Sequence, residues 1–311
     1  MNEKVQLVRG EQLQNIPGAV VAIGNFDGIH LGHQILIAKI KEKAKQLGLS
    51  SVVLTFEPHP KEFFSPSKTM PRLMRITEKW LVLEKLGIDY VCCLPFNKNL
   101  ASQSPEDFVK NILLKKLNAK AIIVGDEFRF GSKRAGDIHT LTMLGEQLGF
   151  SVEAVSQFMK DDVRVSSSRV RDALANADFD EVKKLTGRSY CLTGRVAHGE
   201  KLGRQLGYPT ANIFLHRLHV PLMGIFVVQV HGLSEQPLPA VASLGYRPTF
   251  GGTQVLLEVH VFDFDQDIYR KRVTVEFLEK IRDEAKFDDA QSLIIQMNKD
   301  AEIARSYFKI N

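Results

Sequence analysis

The sequence predicts two domains of different class: an α/β domain built on a parallel sheet, then an antiparallel β-barrel with a C-terminal helix. Three observations carry that prediction. From residue 19 to about 158, short apolar runs alternate with segments of helical period, the rhythm of right-handed crossover connections. After residue 187 the apolar runs recur with only Gly, Pro and Asp turns between them, which is the pattern of an all-β barrel. The length, 311 residues, also exceeds what one hydrophobic core ordinarily serves. The boundary falls at 186/187, giving domains 1–186 and 187–311.

In order along the chain, AVVAIG (19–24) reads as a buried strand. The segment after it places Ile37, Ile40, Ala44 and Leu47 on one helical face before Gly48 stops the helix. SVVLTF (51–56) is the next strand, and Thr77 caps a helix carrying Trp80, Leu83 and Leu86, with Gly87 behind it. IDYVCCLPF is a third strand. Ser104 at an N-cap and Pro105 at the first helical position open a helix through SPEDFVKNILLKKL. AKAIIVG (119–125) is a fourth strand, LTMLGEQLG lies in a helix, and FSVEAVSQF is a fifth strand. Residues 169–185 are helical and lead to the junction. Beyond it, SYCLTGRV, GIFVVQVHG, LPAVASLG, QVLLEVHVFDF and RKRVTVEFL read as strands, and DDAQSLIIQMNKDAEIARSYF alone has helical period.

Composition narrows the function classes. Apolar residues make up 44% and charged residues 25%, a globular balance that excludes wholesale disorder. Lys plus Arg is 41 against 36 acids, a net +5. That mild excess suits phosphorylated anions and does not by itself argue for nucleic acid. The start, MNEKVQLVRGEQ, is charged where a signal peptide needs an apolar core, and no apolar stretch approaches the ~20 residues that span a bilayer. Cys92, Cys93 and Cys191 offer neither a disulfide framework nor zinc-ligand spacing. A reduced, cytoplasmic chain is expected, without a membrane partner.

The first chemistry lies directly after strand 19–24, in Gly24-Asn25-Phe26-Asp27-Gly28-Ile29-His30-Leu31-Gly32-His33. Ligands of open α/β sheets bind at strand carboxyl ends. A helix start there offers N–H groups and partial positive charge to a phosphate. Gly28 and Gly32 let the backbone approach closely. His30 and His33, three apart, share a helix face and can donate to phosphate oxygens as charge builds. Such a site stabilises a pentacoordinate phosphorus and a departing pyrophosphate without a covalent nucleophile.

Other segments admit two readings each. Thr55-Phe56-Glu57-Pro58-His59-Pro60 is either a wall for a planar ring or a strand-ending turn. Phe128-Arg129-Phe130, after strand 119–125, either stacks on a ring or packs core. Ser166-Ser167-Ser168-Arg169-Val170-Arg171 either holds a triphosphate tail or caps a solvated helix. In the second half, the glycine-punctuated basic segment from Gly194 to Asn212 can fold around phosphates, with Lys201 and Arg204 to neutralise them. It is not a P-loop. Thr210 and Asn212, in Pro209-Thr210-Ala211-Asn212, are either hard oxygen ligands for Mg²⁺ or part of a turn entering a strand. Alternation puts Glu258 and His260 on one face of a strand and Leu257, Val259 and Val261 on the other.

Taken together, these motifs resemble those of bacterial bifunctional riboflavin kinase/FAD synthetases, over essentially the whole chain. GNFDGIHLGH resembles the nucleotidyltransferase signature, and PTAN resembles the riboflavin kinase signature. The resemblance implies a Rossmann-like FMN adenylyltransferase domain followed by a riboflavin kinase barrel. It implies that ATP and riboflavin give FMN, and that FMN and a second ATP give FAD and pyrophosphate. By the same resemblance His30, His33 and Glu258 are catalytic, Glu258 as the base for the ribityl 5′-hydroxyl. Gly24, Phe26, Asp27, Gly28, Gly32, Ser167, Ser168, Arg171, Lys201, Gly203 and Arg204 would bind ATP. Phe56, Pro58, His59, Pro60, Glu127, Phe128, Phe130 and Arg282 would bind flavin, and Thr210 and Asn212 would hold Mg²⁺. Partners are then small molecules, not nucleic acid, and the chain is a monomer or weak homo-oligomer.

The sequence also departs from the family pattern. Glu127 stands where Asn or Asp is usual, Ser168 where Thr is, and Ser243 where Asn is. Arg270 replaces a glycine, which an arginine cannot match cheaply at φ > 0, so the turn before strand 272–278 is expected to differ. Three rivals stay in view. A nucleotidyltransferase with another acceptor, such as pantetheine phosphate or a nicotinamide mononucleotide, would share the histidine motif but not need Thr210, Asn212 and Glu258. A regulatory binder with dead sites would not need all five of His30, His33, Thr210, Asn212 and Glu258. A nucleic-acid-binding protein is supported only by the positive charge balance.

Overall fold

Apolar runs of the first half pair as the strands of one six-stranded parallel sheet. The computed structural model describes residues 5–9, 16–65, 70–198, 208–215, 217, 219–249 and 252–310. The sheet consists of β1 (Gln6–Arg9), β2 (Ala19–Ile23), β3 (Ser50–Glu57), β4 (Tyr90–Pro95), β5 (Ala119–Gly125) and β6 (Ser151–Val155). Its order is β1-β4-β3-β2-β5-β6, every pair parallel. The edge strand β1 is an addition to the five strands expected. The chain runs outward from β2 through β3 to β4 and then crosses to β5 on the other side, so the strand order switches at β2. That switch is where a ligand crevice forms.

Both faces of the sheet are buried, as parallel sheets require. Val21, Ile23, Leu54, Ile122 and Val124 pack with Phe108, Val109, Ile112 and Leu141. Their strand neighbours Val20, Ala22, Val53 and Ile123 pack with Leu36, Ile37, Ile40 and Leu83 on the opposite face. The first set comes from α5 (Pro105–Phe108), the π-helical turn Val109–Leu114 that continues it, and α6 (Ile138–Leu148). The second comes from α1 (Leu31–Leu47) and α3 (Ile76–Lys85). Short helices α2 (Pro60–Phe64) and α4 (Lys98–Ala101) follow β3 and β4.

Three local expectations are corrected. Leu47 is 48% exposed, because burial along its face ends one turn earlier at Ala44 and Leu47 sits beside the Gly48 cap. Thr77 does not cap its helix. The N-cap is Arg75, whose N–H donates to the Glu78 carboxylate at 2.6 Å, so Thr77 lies inside the first turn. Residues 169–185 form two helices, α7 (Ser167–Ala175) and α8 (Phe179–Thr186), broken where Ala177 takes φ 54°.

A small hairpin of β7 (Met159–Lys160) and β8 (Val163–Arg164) turns on Asp161 and Asp162, both at positive φ, the geometry that matches strand twist. The second half closes into a six-stranded antiparallel barrel. Its strands are β9 (Cys191–Ala197), β10 (Ala211–Phe214), β11 (Gly224–His231), β12 (Leu238–Thr249), β13 (Gly252–Val261) and β14 (Arg272–Arg282), in the order β10-β13-β12-β11-β14-β9. The pairing of Asn212 with Ala197 closes the ring. β10 supplies a sixth barrel strand where five apolar runs were read, because its four residues are too few for a periodic signal. Helix α9 (Ala290–Phe308) covers an outer face, with Ala301 and Ala304 against Val227 and Phe262.

Contacts divide the chain into two units. One comprises Met1–Met70 and Met74–Ser167, the other Pro71–Leu73 and Ser168–Asn311. The tripeptide belongs to the second unit because two arginines there hold its carbonyls. Arg171 Nε donates to Pro71 O at 2.7 Å, and Arg217 donates to the carbonyls of Arg72 and Leu73.

Candidate active sites

The first site grows from the sequence at the carboxyl end of β2. Gly24 N–H still pairs with Leu54 O at 3.1 Å, and beyond it the chain leaves the sheet. Phe26 (φ 47°), Gly28 (φ 85°) and Ile29 (φ 39°) then turn it left-handed before α1 begins. Phe26 and Ile29 are fully buried and so anchor the turn in the core. His30 is the N-cap of α1, its Nδ1 accepting the His33 N–H at 3.4 Å. The two imidazoles stack, centroids 3.7 Å apart, and Phe26 lies 5.1 Å from the His33 ring. A Cβ on Gly32 would come 3.3 Å from the His30 ring, tighter than most real contacts, so the missing side chain leaves the imidazole its place. Asp27, 3% exposed, accepts the Met74 N–H at 3.0 Å. Its carbonyl accepts Ser167 Oγ at 2.7 Å. This arrangement concentrates a helix N-terminus and two imidazoles at the switch point of the sheet, a geometry suited to a polyphosphate.

The other segments of this unit divide by role. His59 caps α2, its Nδ1 accepting the Lys61 N–H at 3.1 Å, and the Glu57–Pro58 peptide is cis. Pro60 occupies the first position of α2. Phe56 meets Phe96 edge-on at 5.9 Å, and Phe63 and Phe64 close on the same Phe96 ring at 5.3 and 5.7 Å. Phe64 is 65% exposed. Sequence reasoning missed Phe63, Phe64 and Phe96 as companions of Phe56, although two aromatics directly behind Pro58-His59-Pro60 were a usable signal. Phe128 and Phe130 stack at 5.5 Å, and Phe130 is buried against Phe108. Of the two readings, Phe130 therefore has the packing of a core residue. Glu127 pairs with Arg164 at 2.6 Å and accepts Gln157 Nε2 at 3.0 Å. The Arg164 hydrogen bond holds its carboxyl below the usual glutamate range. Burial pushes the Cys92 thiol up to about 12, too high for a nucleophile at neutral pH.

Within the second unit, Ser168 opens the residues assigned to it and Arg171 is committed to Pro71. On the barrel, register places Asn212 opposite Glu258 and Glu258 opposite Ser243, one row of polar residues across β10, β13 and β12. Leu257, Val259 and Val261 point to the buried side, as alternation requires. Glu258 accepts Arg247 Nη2 at 3.0 Å, while Arg247 Nη1 reaches Glu284 at 2.9 Å. Burial works against the Arg247 charge, yet the two carboxylates outweigh it and hold its pKa above the ordinary value. Gly245 makes this possible, since a Cβ there would lie 2.0 Å from the Glu284 carboxylate. Asn212 Nδ2 donates to the Thr210 carbonyl at 3.4 Å. Tyr208 hydrogen-bonds Asn298, and His260 Nδ1 donates to Pro209 O at 3.0 Å, steadying the entry to β10.

Arg282 is engaged by Asp300 of α9 through Nε at 2.9 Å and Nη2 at 2.7 Å. Its Nη1 donates to Asp283 O. Arg270 does take φ 66°, donating its N–H to Val196 O at 2.8 Å, so the turn keeps a glycine-like backbone despite the arginine. Lys201, Gly203 and Arg204 lie outside the described residues. Among the described residues no cluster of three or more His, Cys, Asp or Glu could hold a metal. Thr210 and Asn212 stand two residues apart at the entry to β10, and they offer a hydroxyl and an amide rather than carboxylates or imidazoles.

Comparison with known proteins matches each half to a family. The FAD synthetase model matches residues 12–169, and the riboflavin kinase model matches residues 186–308. A Haemophilus influenzae bifunctional riboflavin kinase/FMN adenylyltransferase is 43% identical over 98% of this chain and 99% of its own. A Pseudomonas fluorescens protein of the same description is 45% identical over 97% of each chain. A solved Streptococcus pneumoniae structure, described as a macrolide-efflux protein, is 33% identical with a TM-score of 0.78, covering 96% of this chain and 98% of that one. No described helix here is long and apolar enough to cross a membrane.

Proposed function

The chain belongs to the bifunctional riboflavin kinase/FMN adenylyltransferase family, and we propose that residues 1–186 adenylylate FMN while residues 187–311 phosphorylate riboflavin. The enzyme is a transferase of flavin-nucleotide biosynthesis, with ATP, riboflavin, FMN and FAD as substrates or products. The reading of the first site rests chiefly on the stacked imidazoles of His30 and His33 at the N-terminus of α1. In adenylyl transfer the FMN phosphate oxygen attacks the α-phosphorus of ATP, and the bond to the β-phosphate oxygen breaks. His30 and His33 then stabilise the charge that grows on the leaving pyrophosphate. Gly24, Phe26, Asp27, Gly28 and Gly32 shape the loop around the nucleotide, with Ser167 serving its phosphates. Phe56, Pro58, His59, Pro60, Glu127 and Phe128 border the flavin, with Phe130 packed in the core behind Phe128.

In phosphorylation the ribityl 5′-hydroxyl attacks the γ-phosphorus, its proton passes to Glu258, and ADP leaves. Arg247 orients that carboxylate from one side. Lys201, Gly203 and Arg204 serve the phosphates of this second ATP, and Arg282 stands on the flavin side. The oxygens of Thr210 and Asn212 suit Mg²⁺, which prefers hard neutral donors alongside water and phosphate. Thr210 and Asn212 would hold the ion there, and it would supply neutralisation of phosphate charge. The enzyme works in the cytoplasm on small molecules, as a monomer or weak homo-oligomer, without a nucleic-acid partner.

Chromatography of the flavins tests the reading. Protein with riboflavin, ATP and Mg²⁺ should give FMN and then FAD, and FMN supplied directly should give FAD. Withholding Mg²⁺ should stop riboflavin phosphorylation. Riboflavin left unphosphorylated in the complete mixture, or FMN never converted, would remove one of the two assignments.

A further inference from the structure

Three peptide carbonyls of the loop between β2 and α1 are held by side chains of the same unit. The Asn25 carbonyl accepts Lys79 Nζ at 2.7 Å and Thr55 Oγ1 at 3.2 Å. The Asp27 carbonyl accepts Ser167 Oγ at 2.7 Å, and the Ile29 carbonyl accepts Gln34 Nε2 at 3.0 Å. In a trans peptide the next N–H points opposite to the carbonyl. Holding the oxygens of 25, 27 and 29 thus sets the directions of the N–H groups of Phe26, Gly28 and His30. Successive N–H groups in such turns make concavities for anions.

Lys79 is the unusual member of this set. It lies on α3, only 3% exposed. Burying an ammonium costs several kcal/mol unless hydrogen bonds offset it, so a neutral donor would have been the cheaper holder. A charged donor does what a hydroxyl cannot: its hydrogen bond to the carbonyl is roughly twice as strong as a neutral one. The backbone it holds also needs holding. Phe26 and Ile29 sit at positive φ, and a β-branched residue there is a true outlier that persists only when its surroundings impose it. The same stretch of chain grips the loop a second time, through the Met74 N–H on the Asp27 carboxylate.

We propose that Lys79 is a positioning residue for adenylyl transfer, its buried ammonium clamping the Asn25 carbonyl so that the strained loop leading to His30 keeps its anion-binding form. The inference rests on the assignment of adenylyl transfer to this loop. Lys79→Met, Thr55→Val and His30→Ala are assayed for FAD formation from FMN and, in the same preparations, for riboflavin phosphorylation. Lys79→Met should lower kcat for FAD formation by about 50-fold, as small misplacements of reacting groups do. KM for FMN should change by less than about threefold, since the clamp does not touch the flavin, and phosphorylation should stay near wild type. Thr55→Val, which removes the weaker donor to the same oxygen, should cost about threefold in kcat.

Lys79→Arg keeps a charged donor and should recover part of the loss. A Lys79→Met enzyme with normal phosphorylation and unchanged kcat for FAD overturns the proposal. If Lys79→Met loses both activities, Thr55→Val decides: a fall confined to kcat for FAD supports the clamp, and no fall refutes it. Unimpaired FAD synthesis in His30→Ala would overturn the site assignment and the clamp together, whereas its loss beside an active Lys79→Met would overturn the clamp alone.

Discussion

The two candidate sites are built by opposite means. The first is a backbone site. Phe26 and Ile29 are fully buried, their φ angles are left-handed, and His30 caps the helix that follows. The barrel site is a side-chain site, in which Asn212, Glu258 and Ser243 form a row across three strands and Arg247 bridges Glu258 to Glu284. One spends packing energy to fix peptide directions, and the other balances charges on a half-exposed strand face. A loop at a strand end has no ladder to orient it, so its geometry must come from the core beneath. A barrel strand already has its register, and only the charges need arranging.

The comparison breaks most sharply when each site is disabled alone. Changing both His30 and His33 to Ala removes two charge-stabilising donors and should lower FAD formation by about 10⁴-fold. FMN should then accumulate from riboflavin, and a normal FAD yield by chromatography would refute the assignment. Glu258→Gln removes the proposed general base and should lower phosphorylation by about 10³-fold, while FAD formation from supplied FMN persists. Loss of both activities in initial-rate assays would mean that the division of labour is wrong.

Smaller effects test the frame of the barrel. Arg270 holds φ 66°, a conformation that costs a side chain about 1 kcal/mol relative to glycine. Arg270→Gly should therefore raise the unfolding free energy by about 1 kcal/mol, read as a higher denaturant midpoint, and an unchanged or lower midpoint would show that the arginine side chain offsets its strain. His260 packs edge-on against Tyr208 and Phe262, 5.0 and 5.6 Å away, and burial pushes its imidazole below the ordinary range. The unfolded chain takes up that proton near pH ~6.5. Stability from the neutral ring is thus complete above that pH and is lost as pH falls below it. His260→Gln should flatten the acid side of the stability profile, measured by urea unfolding between neutral pH and mild acid, and an unchanged acid limb would refute that contribution.

Much of this architecture was legible in the sequence, because apolar periodicity reports burial and nothing else competes with it in long elements. The parallel sheet, the barrel runs, α1 and α9 all carry such signals. The misses are local and share a cause. β1 and β10 have four residues each, too few for a period to appear. Thr77 looked like a cap by residue type, yet Glu78 reaches back to the Arg75 N–H and starts the helix earlier. Site motifs were readable because spacing along one loop fixes them, as in His30 and His33. The partners of those residues were not. Lys79 lies 54 residues from Asn25 and Glu284 lies 37 from Arg247, and no periodicity links positions so far apart. Arg270 shows the converse: the residue type argued for a changed turn, but the Arg270 N–H to Val196 O bond preserved it.

Gly245 contributes no atom beyond its backbone, yet it decides where the Glu284 carboxylate can lie. Because nothing projects from it, Glu284 can occupy that space and take half of the Arg247 guanidinium. A methyl group there would push the Glu284 carboxylate out of that space and loosen one arm of the fork that Arg247 makes. An empty spot on β12 thus leaves room for an ion pair whose partners lie 37 residues apart.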